Sequence, residues 1–458
     1  MADWENTKVT VFGLGRSGMS AARYLAGRGA QVFLSEASSL DEGKKKQKEE
    51  LQSLGVELEF GGHSDRALSF SDLIIVSPGI MPSSDIIVRA HRLGKEIICD
   101  VELAYRETKV PIIAITGTNG KSTTCALISH ILSRTGKVAP ACGNFGVPIL
   151  SQLDKNPDFL VAETSSYQLA YCSAFAPMVA VWLNLTPDHL DWHHGIEGYV
   201  EAKQRLFAHQ KHNQYAVLNI DDAVVSETKT RSEIFPFSLN SELQDCVQGA
   251  FIKDGFLCYR INGRSRVVLA PDELMIRGRH NLENVLAAIS VCAILEVDPK
   301  EIEQHLKDFQ ALEHRLEYVA TIDSIAYYND SKATNTVSAI KALESFPAEK
   351  VVLIAGGRDK GTDLSEFVSV VKRCASTVIL IGEASNRFAD ALTSGGFTSV
   401  HCLASLEAAI ELGGQLNKGP VLLSPACASF DMFRDYEDRG RVFKDLVRAR
   451  CERLAPSH

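Results

Sequence analysis

Seven consecutive residues, Gly117-Thr118-Asn119-Gly120-Lys121-Ser122-Thr123, place a glycine turn, a lysine and hydroxyls together, as a phosphate-binding loop requires. The glycines let backbone N–H groups approach an anion at a helix N-terminus. Lys121 can neutralise β- and γ-phosphate oxygens, and Ser122 can hold a magnesium ion. ATP or GTP is the ligand this chemistry suggests. Two residues rather than four separate Gly117 from the Gly120-Lys121 pair, so the loop is shorter than the general pattern. A plain glycine turn is the bland alternative, and the loop alone does not say what is done with the nucleotide.

A second glycine pattern, Gly13-Leu14-Gly15-Arg16-Ser17-Gly18, follows Val9-Thr10-Val11-Phe12. Glu36 comes after a second strand, Gln31 to Leu34, about twenty residues on, where a dinucleotide-binding unit places the acid for its ribose. The turn and the helix dipole recognise a pyrophosphate whatever is attached to it, so NAD and another nucleoside diphosphate both remain open.

Further carboxylates and imidazoles follow the phosphate loop. Phe159-Leu160-Val161-Ala162 reads as a strand delivering Glu163 at its carboxyl end, where a carboxylate can ligate magnesium facing the phosphates. Val179 to Leu183 then leads into Asp188, His189, Asp191, His193 and His194. Zinc is one reading, because His189 and His193 are four apart, but the glutamate of HExxH is missing and Pro187 precedes. A hard-cation role for His189 alongside Glu163 fits the neighbouring phosphate machinery better.

These groups need strands and helices to hold them. Val110 to Thr116 is an apolar, β-branched run suited to a strand buried on both faces, and Leu127, Ile128, Ile131 and Leu132 recur at helical spacing until Gly136. Val56 to Phe60, Leu73 to Val76 and Glu96 to Ile98 complete a small open α/β domain ending near Cys99. Val351 to Ala355, Val378 to Ile381 and Val421 to Leu423 predict a second open α/β sheet near the C-terminus. A helix beginning at His280-Asn281 carries Leu282, Val285, Leu286 and Ile289 on one face, with Asn281 placed to cap it.

The chain has 458 residues, enough for about three domains, with 45% hydrophobic and 23% charged residues. Its net charge of -9 argues against a nucleic-acid backbone as the main partner. The N-terminus is acidic without an apolar core segment, and no later run approaches the ~20 apolar residues of a membrane span, so a cytoplasmic chain is expected. Eleven cysteines are scattered with no CxxC spacing, which predicts reduced, mostly buried thiols. The lysine run at 44–48 reads as a solvated helix face, since acids interleave and flank it.

Taken together, GTNGKSTT at 117–124, ETSSYQL at 163–169, NLTPDHLD at 184–191, GRHNLENVLAA at 278–288, EHRLE at 313–317, NDSKATNT at 329–336 and SPACASFDMF at 424–433 resemble the Mur ligase family. That family makes amide bonds with ATP in peptidoglycan precursor synthesis. GLGRSG at 13–18 with SPACASFDMF resembles its D-glutamate-adding branch. The resemblance implies an α/β protein of three domains: an N-terminal Rossmann-like domain (1–99) for the UDP end of the substrate, a central P-loop ATPase-like parallel sheet (100–311), and a C-terminal Rossmann-like domain (312–458) with amino-acid and ATP contacts. It also implies that the first glycine turn binds a UDP-sugar diphosphate without hydride chemistry.

Residue roles follow from the same resemblance. Gly117 to Thr123, with Asn281, Arg315, Asp330 and Lys332, would bind ATP. Gly13, Gly15, Arg16, Ser17, Gly18, Glu36 and Asn144 would bind the UDP-linked substrate. Thr334, Lys360, Ser429, Phe430 and Tyr436 would meet D-glutamate. Ser122, Glu163, His189 and Lys203 would serve two magnesium ions, with Lys121, Glu163, His189 and Lys203 catalytic. Lys203, within YVEAKQRLF, matches the lysine the family carbamylates, which turns a cation into an anionic oxygen ligand. From its own surroundings Lys203 reads as a surface helix lysine.

The implied reaction uses ATP to convert the L-alanine carboxylate of UDP-N-acetylmuramoyl-L-alanine to an acyl phosphate, which the D-glutamate amine attacks. A monomer is expected. Another Mur ligase adding L-alanine or a diamino acid is the runner-up. An NAD-dependent oxidoreductase and a P-loop switch are rivals from other classes. Two departures stand out: Trp192 where many relatives carry arginine, and Ser35-Glu36 where several carry an aspartate.

Overall fold

The computed structural model describes residues 3–359 and 361–454. The chain forms two compact units: Met1–Pro271 with Glu283–Leu306, and Asp272–Leu282 with Lys307–His458.

The first unit holds two sheets. Strands β1 (Lys8–Phe12), β2 (Gln31–Glu36), β3 (Glu57–Phe60), β4 (Leu73–Val76) and β5 (Glu96–Cys99) are all parallel, in the order β3-β2-β1-β4-β5. The β1 and β4 runs, VTVF and IIV, are buried, as β-branched strands inside a parallel sheet must be. The order reverses between β1 and β4, so the carboxyl ends open a crevice there, and the Gly13–Gly18 turn stands at its edge. The lysine run lies on the helix Glu42–Ser53, which buries only Leu51 and is capped by the Asp41 carboxylate on Lys44 N, as a solvated helix should be.

The second sheet has nine strands: β6 (Ile112–Thr116), β7 (Ala141–Gly143), β8 (Leu160–Glu163), β9 (Val179–Trp182), β10 (Tyr215–Asn219), β11 (Glu233–Ser238), β12 (Gly249–Lys253), β13 (Phe256–Ile261) and β14 (Arg264–Leu269). They run β14-β13-β12-β11-β10-β9-β6-β8-β7, so β6, which feeds the phosphate loop, sits between the strands that deliver Glu163 and the 184–194 segment. The sheet is parallel as expected through β12, but β12, β13 and β14 form an antiparallel meander beyond it. Two tight turns build that meander. Asp254-Gly255 (φ 50°, 82°) and Asn262-Gly263 (φ 49°, 73°) are both left-handed pairs, the conformation a two-residue hairpin needs.

The second unit carries β15 (Glu317–Ile322), β16 (Ile325–Asn329), β17 (Val351–Gly356), β18 (Ala375–Ile381), β19 (Val400–Cys402) and β20 (Val421–Leu423), ordered β15-β16-β20-β17-β18-β19. All pairs are parallel except the β15–β16 hairpin. The three sheets with their helices make the three-domain α/β architecture expected from sequence. Every cysteine is a free thiol, and seven of the eleven are buried. Among the described residues no helix is long and apolar enough to cross a membrane.

Candidate active site

The phosphate loop leaves β6 and enters the helix Lys121–Arg134 through Gly120, whose φ is 85°. A Cβ at Gly120 would collide with the Asn284 side chain, so both the backbone conformation and the space demand glycine. The segment after β9 holds the loop from the other side. Thr118 N donates to Asn184 O (3.1 Å), Asn119 N to Asn184 Oδ1 (2.9 Å), and Thr118 Oγ1 to Thr186 O (3.0 Å). Lys121 folds back over its own loop, donating to the Gly117 and Thr118 carbonyls at 2.8 and 2.9 Å. Thr123 is buried in the first turn of the helix.

Glu163 ends β8 beside Ile115 and is 3% exposed. One carboxylate oxygen accepts from Ser122 Oγ (2.7 Å), the other from Asn144 Nδ2 (2.6 Å). Asn144 also donates its backbone N–H to the Glu163 carbonyl at 2.9 Å. A hydroxyl and a carboxylate at the N-terminus of a phosphate-loop helix are hard oxygen donors, and they fit magnesium.

Lys203 lies on the helix Ile196–Ala208 and is 1% exposed, which corrects the reading of it as a surface lysine. Its Nζ donates to the Gly117 carbonyl (2.9 Å), contacts Thr116 Oγ1 at 3.4 Å and sits over the Tyr199 ring. Burial, and then the Lys121 charge, pushes its amine well below the usual lysine range. Tyr199, whose hydroxyl lies 3.1 Å from Thr118 Oγ1, was not legible as a site residue; only its place one turn before Lys203 marked it.

His189 is not brought against Glu163 by any hydrogen bond. It stands half-exposed with φ 54°, 3.4 Å from Asp188, its ring on Tyr167. His193 is buried and its Nε2 lies 2.9 Å from Ser166 Oγ. The helix between them is the single turn Leu190–His193, and one histidine is its N-cap, so the shared helical face required for zinc does not form. Burial lowers the His193 pKa to about 4. Trp192 is buried against Tyr167 and His193 rather than presented as a charge substitute.

In the first sheet's crevice, Gly18 passes so close to the Gly13 carbonyl that any Cβ there would clash. Gly15 caps the helix Arg16–Ala26, and Ser17 lies beside the buried Asp100. Glu36 Oε2 accepts from Leu14 N at 2.7 Å, and its other oxygen takes the Ser38 N–H at 3.0 Å and the Ser38 hydroxyl. Although burial opposes it, these bonds hold the Glu36 carboxyl below its ordinary range. Arg16 reaches the Asn144 and Gly146 carbonyls at 3.1 and 3.5 Å, which ties the first glycine turn to the Glu163 site.

The second unit gathers its own set. Asp330 is buried and accepts from Leu316 N (3.2 Å) and Ser424 Oγ (2.8 Å); burial raises its pKa to about 7. Arg315 lies in the turn before β15, and Lys332 sits over the Tyr436 ring at 5.4 Å. Thr334 immediately precedes Asn335, the cap of the helix Thr336–Glu344. Ser429 is buried, Phe430 is exposed, and Tyr436 opens the helix Tyr436–Leu454. Arg439, which nothing in the sequence distinguished, is buried and joins these segments, donating to Ser331 Oγ (2.9 Å), Ser331 O (2.8 Å) and Cys427 O (3.2 Å). Asn281 does not cap. It lies inside the first turn of the helix Arg279–Ile294 and its amide donates to the Arg277 carbonyl at 2.7 Å. Lys360 lies outside the described residues.

Three sequence families match in order: "Mur ligase MurD-like, N-terminal domain" at residues 7–99, "Mur ligase middle domain" at 115–292, and "Mur ligase, glutamate ligase domain" at 314–427. The chain is 40% identical over 455 residues to the UDP-N-acetylmuramoylalanine--D-glutamate ligase of Pelotomaculum thermopropionicum, covering 98% of each chain. It is 42% identical over 450 residues to the enzyme of that name from Acidobacterium capsulatum, covering 96% of each. In fold it is similar to the UDP-N-acetylmuramate-alanine ligase MurC of Thermotoga maritima (TM-score 0.59, 20% identity, 97% and 100% covered). It is likewise similar to MurF of Acinetobacter baumannii (TM-score 0.59, 17% identity, 97% and 91% covered). With full-length relatives at this identity and the family's domains in order along it, the chain belongs to the Mur ligase family.

Proposed function

We propose that this chain is an ATP-dependent ligase that adds D-glutamate to UDP-N-acetylmuramoyl-L-alanine, releasing ADP and phosphate, in cytoplasmic peptidoglycan precursor synthesis. The observation that carries this reading is the cluster of Lys121, Ser122, Glu163 and Lys203 around a phosphate loop, in a chain alignable end to end with D-glutamate ligases. The division of labour is residues 1–99 for the UDP moiety, 100–311 for the ATP phosphate loop and 312–458 for the amino acid and further ATP contacts. The protein acts as a monomer, and its net charge of -9 disfavours nucleic acid as a partner.

The phosphate loop binds ATP through the Gly117–Thr123 backbone, and Lys121 leaves its loop carbonyls for the β- and γ-phosphates. The L-alanine carboxylate attacks the γ-phosphorus, ADP leaves, and the resulting acyl phosphate is held for the D-glutamate amine, which displaces inorganic phosphate. Arg315 spreads charge on the transferring phosphoryl group, and Asn281, Asp330 and Lys332 complete the nucleotide contacts. Ser122, Glu163 and His189 would hold magnesium, with Lys203 serving a second ion, and the metal would offset repulsion between carboxylate and phosphate.

Lys203 serves as a carbamate. Its buried amine is depressed toward the neutral form, which has the lone pair to attack carbon dioxide; one C–N bond forms and one proton is released. D-glutamate is recognised by Lys360, Thr334 and Ser429, with Phe430 and Tyr436 beside them.

Phosphate release measured with UDP-N-acetylmuramoyl-L-alanine and a panel of amino acids tests the reading. Only D-glutamate should support rapid turnover, because donors built for a second carboxylate are left unpaired by other substrates. Equal or faster turnover with L-alanine or a diamino acid would transfer the chain to another branch of the family.

A further inference from the structure

The carboxyl ends of β1, β2 and β3 meet in a polar cluster outside the set described above. Ser35, fully buried at the end of β2, donates to Glu59 Oε1 at 2.5 Å and lies 2.6 Å from His63 Nδ1. A third neighbour, the Gly62 carbonyl, is 3.4 Å away. Glu59 also accepts the Ser64 backbone N–H (3.0 Å) and hydroxyl (2.6 Å). Although burial opposes it, the Ser35 and Ser64 bonds hold the Glu59 carboxyl below its ordinary range, so it is ionised and has no proton to offer.

That geometry settles the histidine tautomer. Ser35 has one proton, and the short bond commits it to the carboxylate. His63 Nδ1 must therefore carry the ring proton and donate it to Ser35 Oγ. Burial keeps the ring below its usual pKa in spite of Glu59 and Glu36, so it is neutral and its Nε2 bears a lone pair. The ring is half-buried against Phe12 at 4.8 Å, and no described residue hydrogen-bonds Nε2.

The position of this acceptor is informative. Gly13 N donates to Ser35 O (2.8 Å), Leu14 N to Glu36 Oε2 (2.7 Å) and Gly61 N to Glu36 O (3.1 Å), so the histidine's loop and the first glycine turn hang from the same two residues. Both oxygens of Glu36, the acid at the position that usually serves a ribose, are engaged by Leu14 and Ser38. His63 offers an unengaged acceptor at the same crevice.

We propose that His63 Nε2 accepts a hydrogen bond from the nucleoside of the UDP-linked substrate, either the imide N–H of the base or a ribose hydroxyl. Ser35 and Glu59 are positioning residues that hold the ring in the accepting tautomer. This rests on the assignment of the first domain to the UDP moiety.

Calorimetry of the full chain with UDP, N3-methyl-UDP, 2′-deoxy-UDP and 3′-deoxy-UDP tests it, with ATP binding as a control for folding. His63→Ala should weaken UDP about three- to tenfold, the effect of one hydrogen bond. The penalty should vanish for the analogue that lacks the donated hydrogen, which identifies the donor. His63→Gln, whose amide oxygen can accept, should regain part of the affinity. An unchanged UDP affinity in His63→Ala, or an equal loss for all four ligands, would overturn the proposal. A wild-type chain that binds ATP but not UDP would instead overturn the substrate assignment beneath it.

Discussion

Lys203 Nζ lies 2.9 Å from the Gly117 carbonyl although 86 residues separate them, which puts a depressed amine directly beneath the phosphate loop. If that amine works as a carbamate, Lys203→Ala should be nearly inactive yet folded. A small carboxylate such as acetate at high concentration should restore part of the rate by supplying oxygens. Lys203→Arg should stay inactive, since its charge is permanent and cannot be carbamylated. Wild-type activity in the arginine variant, in the same phosphate-release assay, would sink the carbamate reading.

Lys121→Ala should lose transition-state stabilisation on the order of 3 kcal/mol, a hundredfold or more in rate. UDP affinity measured by calorimetry should survive, because the first glycine turn is built from the other sheet of the unit. A variant that lost UDP binding and kept its ATP turnover would show the domain roles to be reversed.

Asn144 satisfies one oxygen of a buried carboxylate, so Asn144→Ala should disturb Glu163 as a metal ligand. Partners that orient ligands typically change metal affinity or activity by about 10–100-fold. The magnesium concentration giving half-maximal rate should therefore rise about tenfold. An unchanged magnesium requirement with weaker substrate binding would restrict Asn144 to the substrate.

His193 supplies a pH dependence. With a folded pKa of about 4 against an ordinary 6.5, the folded ring binds fewer protons than the unfolded one in that window. Its contribution to stability is complete above pH 6.5 and is lost as pH falls toward 4, by up to about 3 kcal/mol. Denaturant titrations at pH 7 and pH 4.5 should show any advantage of the wild type over His193→Gln shrinking at the lower pH. A constant difference would mean that burial does not depress this histidine.

What was legible along the chain was whatever is built from near neighbours. The phosphate loop was readable because its turn, lysine and hydroxyls occupy seven adjacent positions between a β-branched strand and an amphipathic helix. The buried strands β1, β2, β4, β6, β8, β9, β17, β18 and β20 were readable for the same reason, whereas β10, β11 and β16, equally buried, were not read from the sequence. The antiparallel extension of the second sheet also had a local signal, the Asp254-Gly255 and Asn262-Gly263 pairs between β-branched and aromatic runs, though the strand pattern upstream pointed to a parallel sheet. Other outcomes belong to tertiary structure alone. Lys203 sits on a helix whose own residues leave its exposure undecided, and only the tertiary fold, which brings its side chain against Thr116 and the Gly117 carbonyl, buries the amine. Arg439 meets Ser331 across 108 residues, and Asn281 yields its capping place because the helix begins before it. Composition and spacing specify what a side chain can do. The dielectric around it and the partner within 3 Å are set by which distant strands the topology makes neighbours, and those decide whether a lysine is a solvated cation or a buried amine.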